Sequence, residues 1–212
     1  MSIFERPIVM LDFETTGLSP AMGDRITEVA ALRIVGGQVT ERYVSLVNCN
    51  ARIPAFITGL TGITQEMVDA APSARQVLPE LLDFIGSDAL SAHNASFDEK
   101  FLVAESERVG RSCGHVGLVC SLKLSRRMFP GMPSYKLGTL SRQLGIAFRS
   151  AAHRAEADAE VAAEVLIHIG RHIGSAYGLQ GVAPDLLVSI NKLAAAKVPT
   201  WLGKYAAEKN AT

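Results

Sequence analysis

The stretch from Ile8 to Gly17 places two carboxylates inside an otherwise apolar run. The apolar residues predict a buried strand, and side chains two residues apart on a strand share a face, so Asp12 and Glu14 point the same way. Two such carboxylates repel each other and lose hydration, and a bound divalent cation relieves both costs. The stretch therefore predicts a metal site, with an edge strand whose acids face water as the simpler alternative.

Two further acids are predicted to face the core from helices. Asp98, in the run 94–109, has apolar residues three and four positions later, which places it on the apolar stripe of a helix. Asp158 has the same relation to its neighbours in the run 154–171. An acid on an inward face needs a partner, so we expect these two carboxylates to join the pair on the strand.

His153 is predicted to accept a proton close to these acids. It precedes Asp158 by five residues, and in a continuous helix that spacing would turn it about 140° away from the acid. We therefore place it on the loop that enters the helix. Histidine exchanges protons near neutral pH, as a general base at the mouth of an acidic site must. The alternative is an ordinary structural histidine.

The elements that must position these residues predict a mixed α/β sheet. Two β-rich runs, 25–35 and 38–47, flank Gly36-Gly37, so the first three strands should form an antiparallel meander. Strands at 89–93 and 116–120 alternate with helices, which favours parallel additions to the sheet. Helices are predicted at 73–85, 94–109, 122–128, 137–144 and 154–171.

Length and composition are typical of one main domain with a small appendage. The chain has 212 residues, of which 48% are hydrophobic. We divide it into a main domain, 1–174, and a C-terminal helical extension, 175–212, which is predicted to pack on that domain. No run approaches the ~20 apolar residues of a membrane span, and the three cysteines are widely spaced, so we expect a cytoplasmic protein without membrane contact or disulfides.

Charge is distributed unevenly, although the formal net charge is zero. Nine basic residues and no acid lie between Arg108 and Arg154, whereas fifteen of the 21 acids precede Arg108. A basic run of this kind predicts a track for the phosphates of a nucleic acid. The alternative is a scatter of solvated charges on several helices. The nine residues are Arg108, Arg111, Lys123, Arg126, Arg127, Lys136, Arg142, Arg149 and Arg154.

Three segments together resemble the exonuclease motifs of the DEDDh, or DnaQ-like, 3′→5′ exonucleases, which include proofreading subunits of the DNA polymerase III epsilon type. The segments are 12–18, 93–98 and 153–159, and their order and spacing match the family. The resemblance covers about residues 7–170 and extends to the linking segments 25–28, 60–64 and 134–137. It implies an α/β, RNase H-like fold with a mixed sheet of about five strands flanked by helices.

The resemblance also implies a site for two divalent cations, Mg²⁺ or Mn²⁺. By matching positions, Asp12, Glu14 and Asp158 would hold one cation, and Asp12 with Asp98 would place the second. His153 would be the general base. The residues that would hold and surround the terminal nucleotide are Thr15, Thr16, Gly17, Leu18, Ile63, Asn94 and Phe97.

The implied activity is hydrolysis at the 3′ end of single-stranded or frayed DNA, in proofreading or repair. The alternatives are an exoribonuclease and a polymerase-associated binding subunit, and the intact acids weigh against the second. Thr61 stands where many relatives have His, and Cys120-Ser121 where many have Asp-Thr, which leaves substrate preference open. The resemblance to proofreading subunits makes a DNA polymerase a candidate partner.

Overall fold

Five strands form one mixed sheet in the computed structural model, which describes residues 2–148 and 152–211. The strands are β1 (Ile8–Thr15), β2 (Ile26–Val35), β3 (Gln38–Leu46), β4 (Ala89–Ala92) and β5 (Leu118–Cys120). Their order across the sheet is β3-β2-β1-β4-β5. The first three pair antiparallel, whereas β4 joins β1, and β5 joins β4, in parallel. The predicted meander and the parallel additions are both confirmed.

Helices pack on both faces of this sheet. Those in the described residues are α1 (Ala55–Thr61), α2 (Gln65–Asp69), α3 (Ala74–Ile85), α4 (Ala95–Arg108), α5 (Ser121–Met128), α6 (Leu137–Gln143), α7 (Ala155–Tyr177), α8 (Pro184–Lys192) and α9 (Val198–Asn210). Single 3₁₀ turns lie at Pro20–Met22 and Ala195–Lys197. Among the described residues, none of these helices has the length and apolar character needed to cross a membrane.

The two faces of β1 contribute to two separate parts of the core. Ile8 and Met10 belong to a cluster completed by α7, α8 and α9, whereas the intervening apolar residues belong to a cluster completed by α3 and α4. Asp12 and Glu14 continue the row of Ile8 and Met10, so the alternation of the strand directs both acids toward the side of α7. A strand with its apolar residues buried on both faces thus holds the two acids firmly.

The helix α7 is longer than the sequence predicts. It ends at Tyr177 instead of near Arg171, and Gly178 closes it with a φ of 67°. Glycine lowers helix propensity, but Gly170 is needed here for packing, because a Cβ at this position would lie 2.8 Å from the ring of Phe4. The predicted end was wrong because packing with the N-terminal segment outweighs local propensity.

The segment after α7 packs on the sheet, as the sequence predicts. Apolar residues of α8 and α9 belong to the cluster beneath α7. Asn191 of α8 also pairs with the edge of β5. Its Oδ1 accepts a hydrogen bond from the Cys120 amide at 2.7 Å, and its Nδ2 donates one to the Cys120 carbonyl at 3.2 Å. This side chain covers backbone that an edge strand would otherwise leave unpaired. The boundary drawn between residues 174 and 175 falls inside α7, and the two-part division stays a prediction.

Candidate active site

Four carboxylates meet at the edge of the sheet where β1 and β4 end. Asp12 and Glu14 lie at the end of β1, Asp158 lies in the first turn of α7, and one oxygen of each is within 4.8 Å of the others. Because β4 runs parallel to β1, the chain leaves β4 at the same edge and enters α4 there, with Asp98 in the first turn. Asp98 is close enough to repel Asp12. The sheet topology therefore brings together the acids that the sequence singles out.

Asp98 is fixed directly against β1. Its side chain is buried, and its carboxylate accepts hydrogen bonds from the backbone amides of Phe13 and of Asp98 itself. Because Phe13 lies between the two acids of β1, this contact sets the position of α4 relative to them. The apolar residues that follow in α4 belong to the cluster under α3, which explains why this acid is directed inward.

Burial and mutual repulsion oppose ionisation of all four carboxyl groups. Burial, followed by repulsion from neighbouring acids, raises the pKa of Asp12 well above its ordinary value. Burial also raises the pKa of Glu14 to about 7 and that of Asp98 to about 8. Burial raises the pKa of Asp158 too, although the backbone amide of His153 lowers it again. Without a cation, the site would therefore hold protons near neutral pH.

The donor set fits hard divalent cations. All four groups offer carboxylate oxygens, which are the ligands that Mg²⁺ and Mn²⁺ prefer. Within residues 2–148 and 152–211, none of the four forms an ion pair with a lysine or arginine. Burial raises the pKa values of Glu14 and Asp98 more strongly than the charges of Arg154 and Lys100 lower them. A positive charge from outside the chain would relieve the repulsion that raises their pKa values.

An ion pair between buried Glu28 and half-buried Arg154 fixes the start of α7. Glu28 of β2 is 3% exposed. Its oxygens accept hydrogen bonds from the Arg154 guanidinium at 2.5–3.2 Å and from the Ala155 amide at 2.9 Å. The pair thus anchors the residues between His153 and Asp158. The sequence assigns Glu28 no role of its own. Its signals were an acid within an apolar strand and its place in the linking segment 25–28, which resembles the family.

His153 lies in the loop before α7, as predicted, and it is exposed. Its φ of 64° lies in the left-handed region, which costs a residue other than glycine about 1 kcal/mol or more. Its backbone amide donates to Asp158 Oδ2 at 2.9 Å, so the loop is attached to the first turn of the helix. The imidazole therefore belongs to a fixed backbone next to the acids, and its role as a proton acceptor stays a prediction.

The turn after β1 is organised by the Asp24 carboxylate. A Cβ at Gly17 would clash with that carboxylate, so a larger residue here would displace Asp24 from the turn. The same group accepts hydrogen bonds from the Ser19 amide at 2.9 Å and from the Thr16 hydroxyl at 3.4 Å. The turn is therefore rigid before any ligand arrives.

The outer side of this turn is available for a ligand. The Thr15 hydroxyl is used within the turn, because it donates to the Gly17 carbonyl at 2.6 Å. The amides of Gly17 and Leu18, by contrast, have no protein acceptor within the described residues. Leu18 is 78% exposed, which is unusual for a large apolar side chain. The predicted contact with a nucleotide would thus use backbone amides and the Leu18 side chain.

The three residues predicted to surround a nucleotide lie in different environments. Ile63 is fully buried in a small cluster around α1 and α2, so it can support a pocket only from behind. Phe97 is half-buried, with its ring 5.1 Å from that of Phe101 and 4.8 Å from Lys100 Nζ. Asn94 is exposed and has a φ of 78°, a conformation that asparagine adopts more readily than most residues. Phe97 and Asn94 therefore have surface left for a ligand.

The chain is similar to exonucleases in sequence. A family model described as Exonuclease matches residues 9–166. The chain is 32% identical over 178 residues to DNA polymerase III subunit epsilon of Aquifex aeolicus, a match that covers 84% of this chain and 87% of that protein. It is 38% identical over 161 residues to the 3′-5′ exonuclease DinG of Bacillus subtilis, which covers 76% of this chain. The chain spans only 17% of DinG and 11% of a PolC-type DNA polymerase III from Clostridium perfringens.

The fold is similar to that of solved exonucleases. Exonuclease X, solved in complex with 5′ overhanging duplex DNA, matches with a TM-score of 0.68 and 26% identity over 87% of this chain and 99% of that one. Exonuclease I from E. coli, solved with a dT13 oligonucleotide, matches with a TM-score of 0.70 and 18% identity over 82% of this chain and 43% of that one, and it supports the fold alone. The family model, the three motifs and the sheet topology agree, so the chain belongs to the DEDDh, or DnaQ-like, exonuclease family and has its RNase H-like α/β fold.

Proposed function

We propose that this chain is a metal-dependent 3′→5′ exonuclease that shortens single-stranded or frayed DNA. The observation that carries the proposal is the convergence of four carboxylates from β1, α4 and α7 where β1 and β4 end, beside the exposed His153. Asp98 is buried, and the other three are partly buried. These acids raise one another's pKa values instead of pairing with cations of the chain. Such an arrangement lowers the stability of the folded chain. Acids with strongly raised pKa values in one cluster are typical of functional sites.

The acids would hold two divalent cations, Mg²⁺ or Mn²⁺. Asp12, Glu14 and Asp158 would bind one of them, and Asp12 with Asp98 would place the other. When bound, the two cations would supply positive charge to a phosphodiester and make water a better nucleophile. The chain contributes the geometry, because a sheet strand and the first turns of two helices fix the four carboxylates before substrate binds.

His153 would take the proton of the attacking water. The oxygen of that water would bond to phosphorus while the bond between phosphorus and the 3′ oxygen of the upstream nucleotide breaks, which releases a nucleoside 5′-monophosphate. Two interactions hold the loop of His153: its backbone amide donates a hydrogen bond to Asp158, and the next residue, Arg154, forms an ion pair with Glu28. A positioned base of this kind contributes about 10²- to 10⁴-fold to a rate.

The turn after β1 and the start of α4 would hold the terminal nucleotide. The free amides of Gly17 and Leu18 suit an oxygen of a phosphate or sugar, whereas the exposed Leu18 side chain and the Phe97 ring offer apolar surface to a base. Apolar and stacking contacts tolerate every base, as an exonuclease requires. Thr15, Thr16, Ile63 and Asn94 would complete the pocket.

DNA is favoured over RNA by the relatives that resemble this chain over most of their length. One is named as a DNA polymerase subunit, and Exonuclease X was solved with duplex DNA. The first of these similarities also suggests a DNA polymerase as a partner. An exoribonuclease and a non-catalytic polymerase-associated subunit are the alternatives, and the complete set of acids weighs against the second.

Incubation with three 5′-labelled substrates in Mg²⁺ separates these functions. The substrates are a single-stranded DNA, a duplex with a 3′ mismatch and an RNA of the same sequence. We expect ladders shortened from the 3′ end for both DNA substrates, and slower shortening of the RNA. Faster shortening of the RNA would identify an exoribonuclease, and intact substrates in all three reactions would leave the non-catalytic alternative.

A further inference from the structure

The basic run 108–154 contains two kinds of side chain: those that form ion pairs or hydrogen bonds within the protein, and those that do not. Arg149 lies outside the described residues. Five arginines are bonded to the chain itself: Arg108 to Glu105, Arg111 to Asp83, Arg154 to Glu28, Arg142 to the Gly138 carbonyl, and Arg127 to the carbonyls of Lys123, Asn191 and Leu193. Within the described ranges, Lys123, Arg126 and Lys136 have no acidic partner. The run as a whole is therefore not a phosphate track.

Two of the three basic side chains without an acidic partner line the same cleft. This open cleft, of about 510 Å³, lies between the end of β4 and the segment before α6, and Arg126, Lys136 and Asn94 are among its lining residues. Arg126 and Lys136 are both exposed. The guanidinium of Arg126 lies 5.8 Å from the centre of the Tyr135 ring, a distance at which an aromatic face attracts a cation. Two positive groups are thus directed into one concave surface.

A half-buried histidine, His93, fixes the wall of this cleft. His93 Nε2 lies 2.9 Å from the Tyr135 carbonyl, and Nδ1 lies 2.9 Å from Ser121 Oγ. Because a carbonyl oxygen can only accept a hydrogen bond, Nε2 carries the proton. Nδ1 then accepts a hydrogen bond from the Ser121 hydroxyl. Burial lowers the pKa of His93, and the charge of Arg126 lowers it further, which favours this neutral form. The segment that carries Lys136 is therefore held against β4 before a ligand binds.

The cleft begins one helical turn from the acids. Asn94 is the residue before α4, and Asp98 follows it by four residues, or about 6 Å along a helix axis. In a duplex, one nucleic-acid strand carries a phosphate every ~3.4 Å along the axis. A strand whose last phosphodiester lies at the acids can therefore place its next phosphates in the cleft.

We propose that Arg126 and Lys136 bind the backbone phosphates upstream of the scissile bond. The ligand is the phosphodiester backbone of the substrate strand, and its sequence does not matter, because both side chains recognise charge instead of base edges. This inference rests on the proposed exonuclease function. It also gives a role to the segment 134–137, which resembles the family but contains none of the acids of the site.

The test compares substrates that differ only in upstream phosphates. The p-nitrophenyl ester of thymidine 5′-monophosphate has the scissile phosphodiester and no upstream nucleotide, whereas a single-stranded DNA of ten nucleotides has both. In the double variant Arg126→Gln/Lys136→Gln, we expect kcat/KM on the DNA to fall about 10- to 100-fold, mainly through KM, and hydrolysis of the ester to change less than about twofold. The salt slope of DNA binding should fall by about 1.4, because each lost phosphate contact removes about 0.7 for a single strand.

Lys204→Gln provides the matched control, because Lys204 is exposed on α9 and is not among the residues that line the cleft. It should leave both substrates and the salt slope unchanged. The subsite is refuted if the double variant loses activity equally on the ester and the DNA, or if it matches the wild type on both. Failure of the exonuclease function itself would look different, since the wild type would then hydrolyse neither substrate, and the subsite would fall with it.

Discussion

At the scale of single residues, the site combines acids that resist ionisation with a histidine that stays exposed. Burial raises the pKa of Asp98 to about 8, although two backbone amides donate to its carboxylate. His153, by contrast, makes its hydrogen bond to Asp158 through the backbone and leaves its ring in solvent. The acids are thus suited to bind cations, and the ring of His153 is accessible to water.

His153→Ala should slow hydrolysis without weakening metal binding. We expect kcat on a single-stranded DNA to fall about 10²- to 10⁴-fold, since a positioned general base contributes a factor of that size. Metal affinity, measured by titration calorimetry, should stay the same because the ring contributes no ligand. His172→Ala is the matched control, because His172 is also exposed and lies far along α7. A variant at position 153 with wild-type kcat under saturating Mg²⁺ would remove the proposed base.

At the scale of elements, the site depends on how helices are attached to the sheet. The start of α7 is held by Glu28 and Arg154, and α4 is held by the hydrogen bond from Phe13 to Asp98. Another buried ion pair, between Glu105 of α4 and Arg25, lies further from the acids. These attachments explain how the first turns of α4 and α7 keep Asp98 and Asp158 in fixed positions beside β1.

Glu28→Gln should reduce kcat more than it affects KM. The amide keeps the shape but loses the charge that holds Arg154, so the loop of His153 becomes less fixed, and we expect a decrease in kcat of about tenfold. Glu105→Gln is the control, because Glu105 is as buried and is also paired with arginine, but it has no contact with the start of α7. If Glu28→Gln and Glu105→Gln lose the same amount of kcat and the same amount of thermal stability, Glu28 stabilises the fold and does not position His153.

Local sequence patterns predicted most elements but not their long-range contacts. The helix predicted at 73–85 is observed as α3, and the Ser73 amide donates to Gln76 Oε1 at 3.0 Å at its start. The pairing of Asn191 with Cys120 joins residues 71 positions apart, and no local pattern indicates it. The acids of the site were predictable because strand and helix periods determine where each points, whereas the anchoring role of Glu28 depends on the folded sheet.

Neighbouring arginines show the same limit of local patterns. Arg126 and Arg127 look equivalent as sequence letters, yet Arg127 binds carbonyls at the end of α8, and Arg126 lies in the cleft beside Asn94. Helical geometry turns successive residues by about 100°, so two neighbours face different surroundings. Only the packing of α8 decides which of the two remains free for a ligand.

At the scale of the whole molecule, the acids make the stability of the metal-free protein depend on pH. The folded chain binds protons at Glu14 and Asp98 with pKa values of about 7 and about 8, whereas ordinary values for these groups are near 4. The stability that these protons provide is complete below about pH 4 and is lost as the pH rises through 7 to 8. Divalent cations should reverse this loss, because they replace the protons.

Thermal unfolding in EDTA at pH 6.5 and at pH 8.0 tests this dependence. We expect a lower Tm at pH 8.0, by about 3 °C or more, which corresponds to about 1 kcal/mol in a domain of this size. Addition of Mg²⁺ at pH 8.0 should raise the Tm again. Asp12→Ala in EDTA should show a smaller dependence on pH, because it removes part of the repulsion. An equal or higher Tm at pH 8.0 in EDTA would contradict the raised pKa values of Glu14 and Asp98.

Hydrolysis of a 5′-labelled single-stranded DNA by the wild type and by Asp12→Ala, each with Mg²⁺ and with excess EDTA, tests whether the four carboxylates form a metal-dependent exonuclease site. The four carboxylates predict a ladder that shortens from the 3′ end and release of nucleoside 5′-monophosphates for the wild type in Mg²⁺ alone. The variant should be inactive in both conditions while it unfolds cooperatively at a Tm no lower than that of the wild type in EDTA. Full activity in EDTA, or an active Asp12→Ala variant, would contradict metal-dependent hydrolysis at these four carboxylates.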